Sequence, residues 1–315
     1  MRKQVRADEM SFLKDAFKEA LQPIKLPSRK ARKYVPSARA NFVLLTDTHF
    51  GLNIFRHEVL TNEYTPAIAA SRMATLSQQI SQFKIEHRNK CKELHICLGG
   101  DLIHGVLRPL SDNGLLITGQ FKLAVNLLST FISEQLSVYN TVFVHLTTGN
   151  HGRMPWKGED RAINDKYDSF ESMIGLALQA RFTTSQNVIF DMPESPITIF
   201  TAMGHRYALT HGDTLIKTGN PGSNLNIKAL ETQILKLNAS YGPISTVMLG
   251  HYHTPTYTIV GTADTNLIIG GCMSGVDPYA QSIGVYRSIP VQTIWEATPQ
   301  YSVGDLRQIR LTWIH

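Results

Sequence analysis

In the first half of the chain, three short apolar runs rich in β-branched and aromatic residues alternate with three longer stretches of helical period. "NFVLLT" (41–46) precedes a helical stretch over about 66–88, "ELHICLG" (93–99) one over about 115–137, and "TVFVHLT" (141–147) one over about 160–181. Such a βαβαβα beginning calls for a largely parallel sheet with helices on its faces. The second half is richer in strands: "NVIFD", "ITIFTA" and "HRYALTH" follow one another with only turns between them. A helix near 224–239 comes next, then "STVMLG", "YTIV", "NLIIGG" and "RQIRLTWI". A single doubly wound sheet does not accommodate both halves. An α/β fold in which two mixed β-sheets pack face to face, flanked by helices, does.

Composition narrows the class. At 315 residues with 43% hydrophobic content the chain can bury one large core or two modest ones. No run approaches the roughly 18 apolar residues of a membrane span, and "MRKQVRADEM" has no apolar segment of the signal-peptide type. The three cysteines, Cys91, Cys97 and Cys272, form no CxxC pair and no even framework, so a reducing, cytoplasmic setting without a membrane partner is expected. Charge is unevenly placed. Residues 1–40 hold 11 Lys or Arg against four acids, a net +7, whereas the whole chain is +6 and the rest therefore −1. Two segments follow: a basic N-terminal arm over 1–40 and a folded domain over 41–315, joined through the linker-like "LPSRKARKYVPSARA". Met10, Leu13, Phe17 and Leu21 recur at helical spacing within the arm, which predicts a short amphipathic helix. The arm could hold nucleic acid through counterion release; a solvated tail accounts for it equally well.

The chemistry lies where the strands end. "FVLLTDTH" places Asp47 and His49 after one apolar run, "HICLGGD" places Asp101, "VFVHLTTGNH" places Asn150 and His151, "YALTHGD" places His211 and Asp213, and "VMLGHYH" places His251 and His253. Ligands of open α/β sheets bind beyond the carboxyl ends of strands, so these groups can converge. If strand geometry continues, the alternate spacing of Asp47 with His49 and of His251 with His253 points both members of each pair the same way. Oxygen and imidazole donors without thiolate suit manganese, iron, cobalt or zinc better than copper(I) or an iron–sulfur cluster. Seven ligands are too many for one tetrahedral ion. If Asp101 bridges, they divide into Asp47, His49, Asp101 and His253 on one ion and Asp101, Asn150, His211 and His251 on the other. Two divalent cations, two aspartates and a hydroxide leave the site positive, as an anionic phosphate ester requires.

In this order the motifs resemble those of the calcineurin-like metallophosphoesterase superfamily: Asp47-Thr48-His49, Gly100-Asp101, Gly149-Asn150-His151, His211 and Gly250-His251-Tyr252-His253. The resemblance spans residues 41 to about 255 and implies a four-layer sandwich with a two-metal centre, most often manganese, and His151 acting on the leaving group. "GDLIHG" and "GNHGR" depart from the Ser/Thr phosphatase branch. His104, after Asp101, looks like the histidine that assists catalysis in the DNA-repair exonuclease branch, whose nucleases work with ATPase partners and of which small members occur in bacteriophages. Those nucleases carry a DNA-capping domain, and the 62 residues after His253 leave room only to complete the sandwich.

Three functions are therefore carried forward: a two-metal DNA nuclease with a metal-bound hydroxide as nucleophile; a phosphatase or phosphodiesterase on a small phosphate ester; and a nucleic-acid-binding scaffold without activity. The first two use His151 as general acid, with His104 in support and Arg153 as a substrate contact. Lys157 and Arg161 could hold phosphates, Trp156 could stack a base, and Asp213 could orient His211. "SGVDPYAQ" (274–281) could fold over the site. His57, His87, His95, His145, His205 and His315 lie outside the motifs and are expected to be structural or exposed, His57 being the least settled of them. No GxxxxGK[ST], GxSxG or GxGxxG signature is present.

Overall fold

Four parallel strands form the centre of the larger sheet: β1 (Ala40–Leu45), β2 (Glu93–Leu98), β3 (Thr141–Leu146) and β4 (Val188–Asp191), side by side in that order. The structure is a computed structural model that describes residues 18–24, 37–87, 91–107, 114–154, 168–215, 226–261, 263–282, 284–286 and 288–312. β10 (Val291–Ala297) adds antiparallel to β1, and β11 (Leu306–Arg310) antiparallel to β10, giving the six-stranded order β11-β10-β1-β2-β3-β4. The second sheet has five strands in the order β5-β6-β7-β9-β8: β5 (Thr198–Ala202), β6 (His205–Thr210), β7 (Thr246–Leu249), β8 (Thr256–Val260) and β9 (Thr265–Ile269). Here β6, β7 and β9 are parallel, and β5 and β8 are antiparallel edges.

Six helices lying wholly within the described residues complete the fold: α1 (Arg56–Val59), α2 (Pro66–Glu86), α3 (Ile117–Val138), α4 (Phe170–Arg181), α5 (Ile227–Tyr241) and α6 (Pro278–Ser282). Local chemistry starts several of them. Thr65 caps α2 by accepting from Ile68 N–H at 3.3 Å, with Pro66 in the first turn, and Asn226 caps α5 by accepting from Ala229 N–H at 3.0 Å. α2, α3 and α4 bury Leu76, Ile80, Leu128, Ile132, Ile174 and Leu178 against Val43, Leu45, Ile96 and Val144 of the first sheet. α5 covers the far side of the second sheet, with Leu230, Ile234 and Leu237 in one cluster with Val247, Leu249 and Leu267. Between the sheets lie Phe42, Leu44, Cys97, Tyr207, Met248 and Trp295. The layers are thus helix, sheet, sheet, helix, the α/β arrangement the strand pattern calls for.

Several particulars differ from the sequence expectation. "VQTIWEA" was not foreseen as a strand, yet β10 is buried along its whole length, with Ile294 in the helix-side cluster and Trp295 and Ala297 between the sheets. A strand covered on both faces has no alternation to read. The third helix begins at Phe170, not near 160, where Ser169 caps it by accepting from Glu171 N–H at 3.1 Å; residues 155–167, with Trp156, Lys157 and Arg161, lie outside the described residues. Most of the basic arm also lies outside them. Of its described parts, 18–24 and 37–40, the first buries Ala20 and leaves Leu21 47% exposed, and Arg181 Nε donates to Ala20 O at 2.8 Å. His95 and His145 are structural, as expected: His95 Nδ1 lies 3.0 Å from His145 Nε2, whose Nδ1 lies 3.0 Å from Asp191 Oδ2, and both rings stack on Phe200. His57 is exposed on α1 and stacks on Phe55. No helix among the described residues is long and apolar enough to cross a membrane.

Candidate metal centre

The five motif strands β1, β2, β3, β6 and β7 all point their carboxyl ends at one place, three from the first sheet and two from the second. The chain after β1 stays paired with the chain after β2: Asp47 N–H donates to Gly100 O at 3.0 Å, His49 N–H to Asp101 O at 3.0 Å and Phe50 N–H to Leu102 O at 2.9 Å. Gly250 N–H donates to His211 O at 3.0 Å, which ties the two loops of the second sheet together.

Strand geometry does not continue through Asp-x-His or His-x-His, which corrects the simple alternation argument. β1 ends at Leu45 and β7 at Leu249. Asp47, His49, Asp101, His251 and His253 take φ of 51°, 45°, 50°, 70° and 54°, five of the eight non-glycine residues with positive φ among those described. A left-handed backbone at a residue with a Cβ costs about 1–3 kcal/mol, and such residues gather where function requires a particular side-chain direction. The turns still bring Asp47, His49 and His253 together, by curling the backbone at each and not by leaving alternate residues on one face.

Two motif glycines have a steric reason. A Cβ on Gly149 would collide with the carboxylate and backbone nitrogen of Asp101, and one on Gly250 with Thr46 Oγ1 and Asp47 Oδ2. The loops interlock so closely that glycine is required at both contacts.

Most of the donor atoms lie in two groups. Asp47, His49 and His253 form one group, and Asp101, His211 and His251 another, each with its ligand atoms within 4.8 Å of one another. In the first, His253 Nε2 lies 3.1 Å from Asp47 Oδ1 and 3.2 Å from His49 Nε2. In the second, His211 Nε2 lies 3.1 Å from Asp101 Oδ2 and 3.1 Å from Asn150 Oδ1. His211 Nδ1 donates to Gly99 O at 2.8 Å, so its Nε2 faces the acidic side; this carbonyl, not Asp213, orients the ring. Asp213 is instead bonded to Arg153, which is not among the residues lining the cleft described below.

The donor set fits divalent cations. All seven atoms are oxygen or imidazole nitrogen, Asp47, Asp101 and His211 are almost wholly buried, and His49 Nδ1 is buried without a hydrogen-bond partner. Crowding of carboxylates and imidazoles at 3.1–3.2 Å in a buried place calls for positive charge between them. Without metal, protons supply part of it. Burial works against charge on His211, yet Asp101, Asp47 and Asp213 outweigh it and raise the imidazole to about 10. Burial likewise raises the Asp101 carboxyl, but His211, His151 and His49 pull it well below the usual range. His251 is pushed down to about 4 by burial and by His211.

His104 and His151 complete the site. Their imidazoles form a third group with His49, the ligand atoms again within 4.8 Å of one another. His151 Nδ1 donates to His104 O at 2.8 Å, which leaves Nε2 as the reactive nitrogen, and His151 N–H donates to Asp101 Oδ1 at 2.8 Å.

Two supporting groups were not legible in the sequence. Glu171, fully buried in the first turn of α4, accepts from the backbone N–H groups of Leu102 and Gly149, so one carboxylate joins the loops that carry Asp101 and Asn150. Burial and the Asp101 charge push it up to about 7 against those two donors. Cys272, also fully buried, is hydrogen-bonded to His253 and accepts from Gly275 N–H at 3.3 Å. Burial opposes charge on both partners, but His253 still lies well above the imidazole range because of Cys272 and Asp47. Neither residue belongs to a motif; Glu171 stands 69 and 22 residues from Leu102 and Gly149, and Cys272 stands 19 from His253, so no local pattern marks either. Glu171→Gln is expected to weaken manganese binding by about 10–100-fold, because one backbone donor then faces an amide N–H. Calorimetric titration of the folded variant measures this, and an unchanged affinity would remove Glu171 from the support of the site.

A cleft of about 820 Å³ opens on the centre, lined by His49, Asp101, His104, Asn150, His151, His251 and His253. Gly275, Asp277, Pro278, Tyr279 and Ala280 also line it, so the "SGVDPYAQ" segment does fold beside the site.

No family model and no curated protein sequence matches the chain. Among solved structures it is similar to Vps29 from Entamoeba histolytica complexed with zinc, at 11% identity and a TM-score of 0.36 over 86% of this chain and 99% of that one. It is also similar to a hypothetical protein from Pyrococcus horikoshii, at 8% identity and a TM-score of 0.43 over 86% of this chain and 87% of that one. A third is the phosphopantetheinyl hydrolase of Mycobacterium tuberculosis, at 10% identity and a TM-score of 0.30 over 85% of this chain and all of that one (100%). Overlaps this slight leave function to be argued from the residues of the site.

Proposed function

We propose that the protein is a metal-dependent phosphoesterase of the calcineurin-like type, with two divalent cations held by Asp47, His49, Asp101, Asn150, His211, His251 and His253. The convergence of oxygen and imidazole donors from five strand ends carries this reading: six form two groups, Asn150 Oδ1 lies 3.1 Å from His211 Nε2 beside the second, and Asp47, His49, Asp101 and His211 are buried. Asp47, His49 and His253 would hold one ion; Asn150, His211 and His251 the other; Asp101 would serve both. When bound, the ions supply Lewis acidity that lowers the pKa of water and draws charge from the phosphoryl oxygens. His151, fixed through Nδ1 on the His104 carbonyl, presents Nε2 to protonate the departing oxygen. His104 supports that transfer by holding the ring. The Asp101 carboxylate, accepting from His151 N–H, keeps the acid in register with the ligands.

A DNA nuclease is the second reading, favoured by the position of the His104 imidazole beside His151. The basic arm and an ATPase partner belong to that reading. A scaffold without activity is disfavoured, since every donor type is retained.

The test is hydrolysis of bis-p-nitrophenyl phosphate after chelator treatment and readdition of manganese, cobalt or zinc, run beside end-labelled single- and double-stranded DNA. Hydrolysis that chelation abolishes and metal restores is expected. Absence of hydrolysis with every metal and both substrate types would refute the phosphoesterase reading, and cleavage of DNA alone would select the nuclease.

A further inference from the structure

The cleft beside the metal centre carries chemistry that the ligand set does not use. Its volume, about 820 Å³, lies within the 300–1,000 Å³ range of small-molecule sites. Running on from the ligands, Tyr252, Pro255, Pro278, Tyr279, Val285 and Ile289 form an apolar lining. Apart from the ligand Asp101, the charged lining residues among those described are Glu58, Asp277 and Arg310. Grooves that track a nucleic-acid backbone are lined by repeated cations. Among the described residues and beyond the ligands, this lining has two acids and one base.

The apolar wall is held in place before any ligand arrives. Arg72, 5% exposed, donates from Nη1 to Met273 O at 2.7 Å and to Ser274 O at 3.0 Å. Asn62 Nδ2 donates to Ser274 O and Val276 O, both at 2.8 Å, and Gln281 Nε2 to Val59 O at 3.2 Å. Both acids have local work. Asp277 Oδ1 accepts from Ala280 N–H at 2.6 Å at the start of α6, and Glu58 Oε2 accepts from Phe55 N–H at 2.9 Å at the start of α1. A preformed wall of this kind adds affinity through apolar contact area with little ordering to oppose it.

We propose that the protein selects small phosphate esters whose retained organic group is neutral, flat and largely apolar, of about nucleoside size, seated on the Pro255–Pro278–Tyr279–Ile289 side of the cleft. The proposal rests on the phosphoesterase reading and names its substrate class. A polyanionic strand is not the ligand this lining recognises.

Three p-nitrophenyl diesters test it, since they share a leaving group and differ only in the retained group: methyl, phenyl and 5′-thymidyl. With manganese, kcat/KM is expected to rise about tenfold from methyl to phenyl, as burial of one aromatic ring allows, and to hold or rise further for thymidyl. Tyr279→Ala and Ile289→Ala are each expected to narrow the phenyl-to-methyl ratio. Equal values across the series, or an oligodeoxynucleotide cleaved more than about tenfold faster per phosphodiester than the thymidyl ester, would overturn the proposal. Binding is measured separately, by calorimetry of phenylphosphonate and methylphosphonate on the manganese-loaded protein, with the phenyl compound expected to bind about tenfold tighter. If no ester is hydrolysed but that preference appears and falls in Tyr279→Ala, the phosphoesterase reading fails and the cleft's selectivity stands. If no ester is hydrolysed and no preference appears, both fail.

Discussion

Asp101→Asn is expected to lower ester hydrolysis by at least roughly 10³-fold, the largest loss from any single change in the site. Asp101 joins a ligand to the residue proposed as the acid: Oδ2 lies 3.1 Å from His211 Nε2, and Oδ1 accepts from His151 N–H at 2.8 Å. Substitution by the isosteric amide keeps the volume but removes a charge around which His49, His151 and His211 are all arranged. Charge stabilisation of a phosphoryl group by metal ions is worth several kcal/mol, and each 1.36 kcal/mol is tenfold in rate, so losing a carboxylate that would serve both ions reaches about 10³-fold. Steady-state kinetics on bis-p-nitrophenyl phosphate, with metal content by mass spectrometry and folding by circular dichroism, measures the effect. A variant that is folded, carries two ions and loses less than about tenfold in rate would contradict the assignment of Asp101 to both ions.

His151→Ala is expected to separate substrates by their leaving groups. Its Nδ1 is committed to the His104 carbonyl, and its ring stands 4.7 Å from that of His49, so Nε2 is the atom that would carry out the proposed proton transfer. A positioned acid contributes about 10²–10⁴-fold where the departing alkoxide is basic. A nitrophenolate leaves with little help. The variant should therefore lose about 10²-fold or more on an alkyl leaving group and under about tenfold on a p-nitrophenyl ester. Equal losses on both would remove the acid role and leave His151 as a residue that holds Asp101.

Supporting residues and ligands differ in how they are encoded. The ligands could be found in the linear chain because each closes an apolar run, and a parallel strand necessarily delivers its carboxyl end to the same edge as its neighbours. Asp47, Asp101, Asn150, His211 and His251 thus needed only a strand pattern and a chemical inventory. Glu171 and Cys272 needed the packed molecule. Glu171 matters because α4 starts next to the Gly149 and Leu102 amides, and Cys272 because the chain after β9 passes behind His253. Nothing within ten residues of either announces that neighbour.

What the sequence by itself determined is the alternation of strands and helices, the class of the fold and the side chains that are proposed as metal donors. These follow from local periodicity and from chemistry placed at strand ends. Tertiary structure decided the rest. It set β10 between β1 and β11, where burial on both faces erases alternation. It curled five ligand residues into the left-handed region in place of extended strand, which only interlocked loops can hold. It also pinned the 273–281 segment beside the metal centre through Arg72 and Asn62, whose bonding partners are backbone carbonyls about 200 residues away. Carbonyl groups carry no residue identity, so contacts of this kind are invisible until the chain is folded.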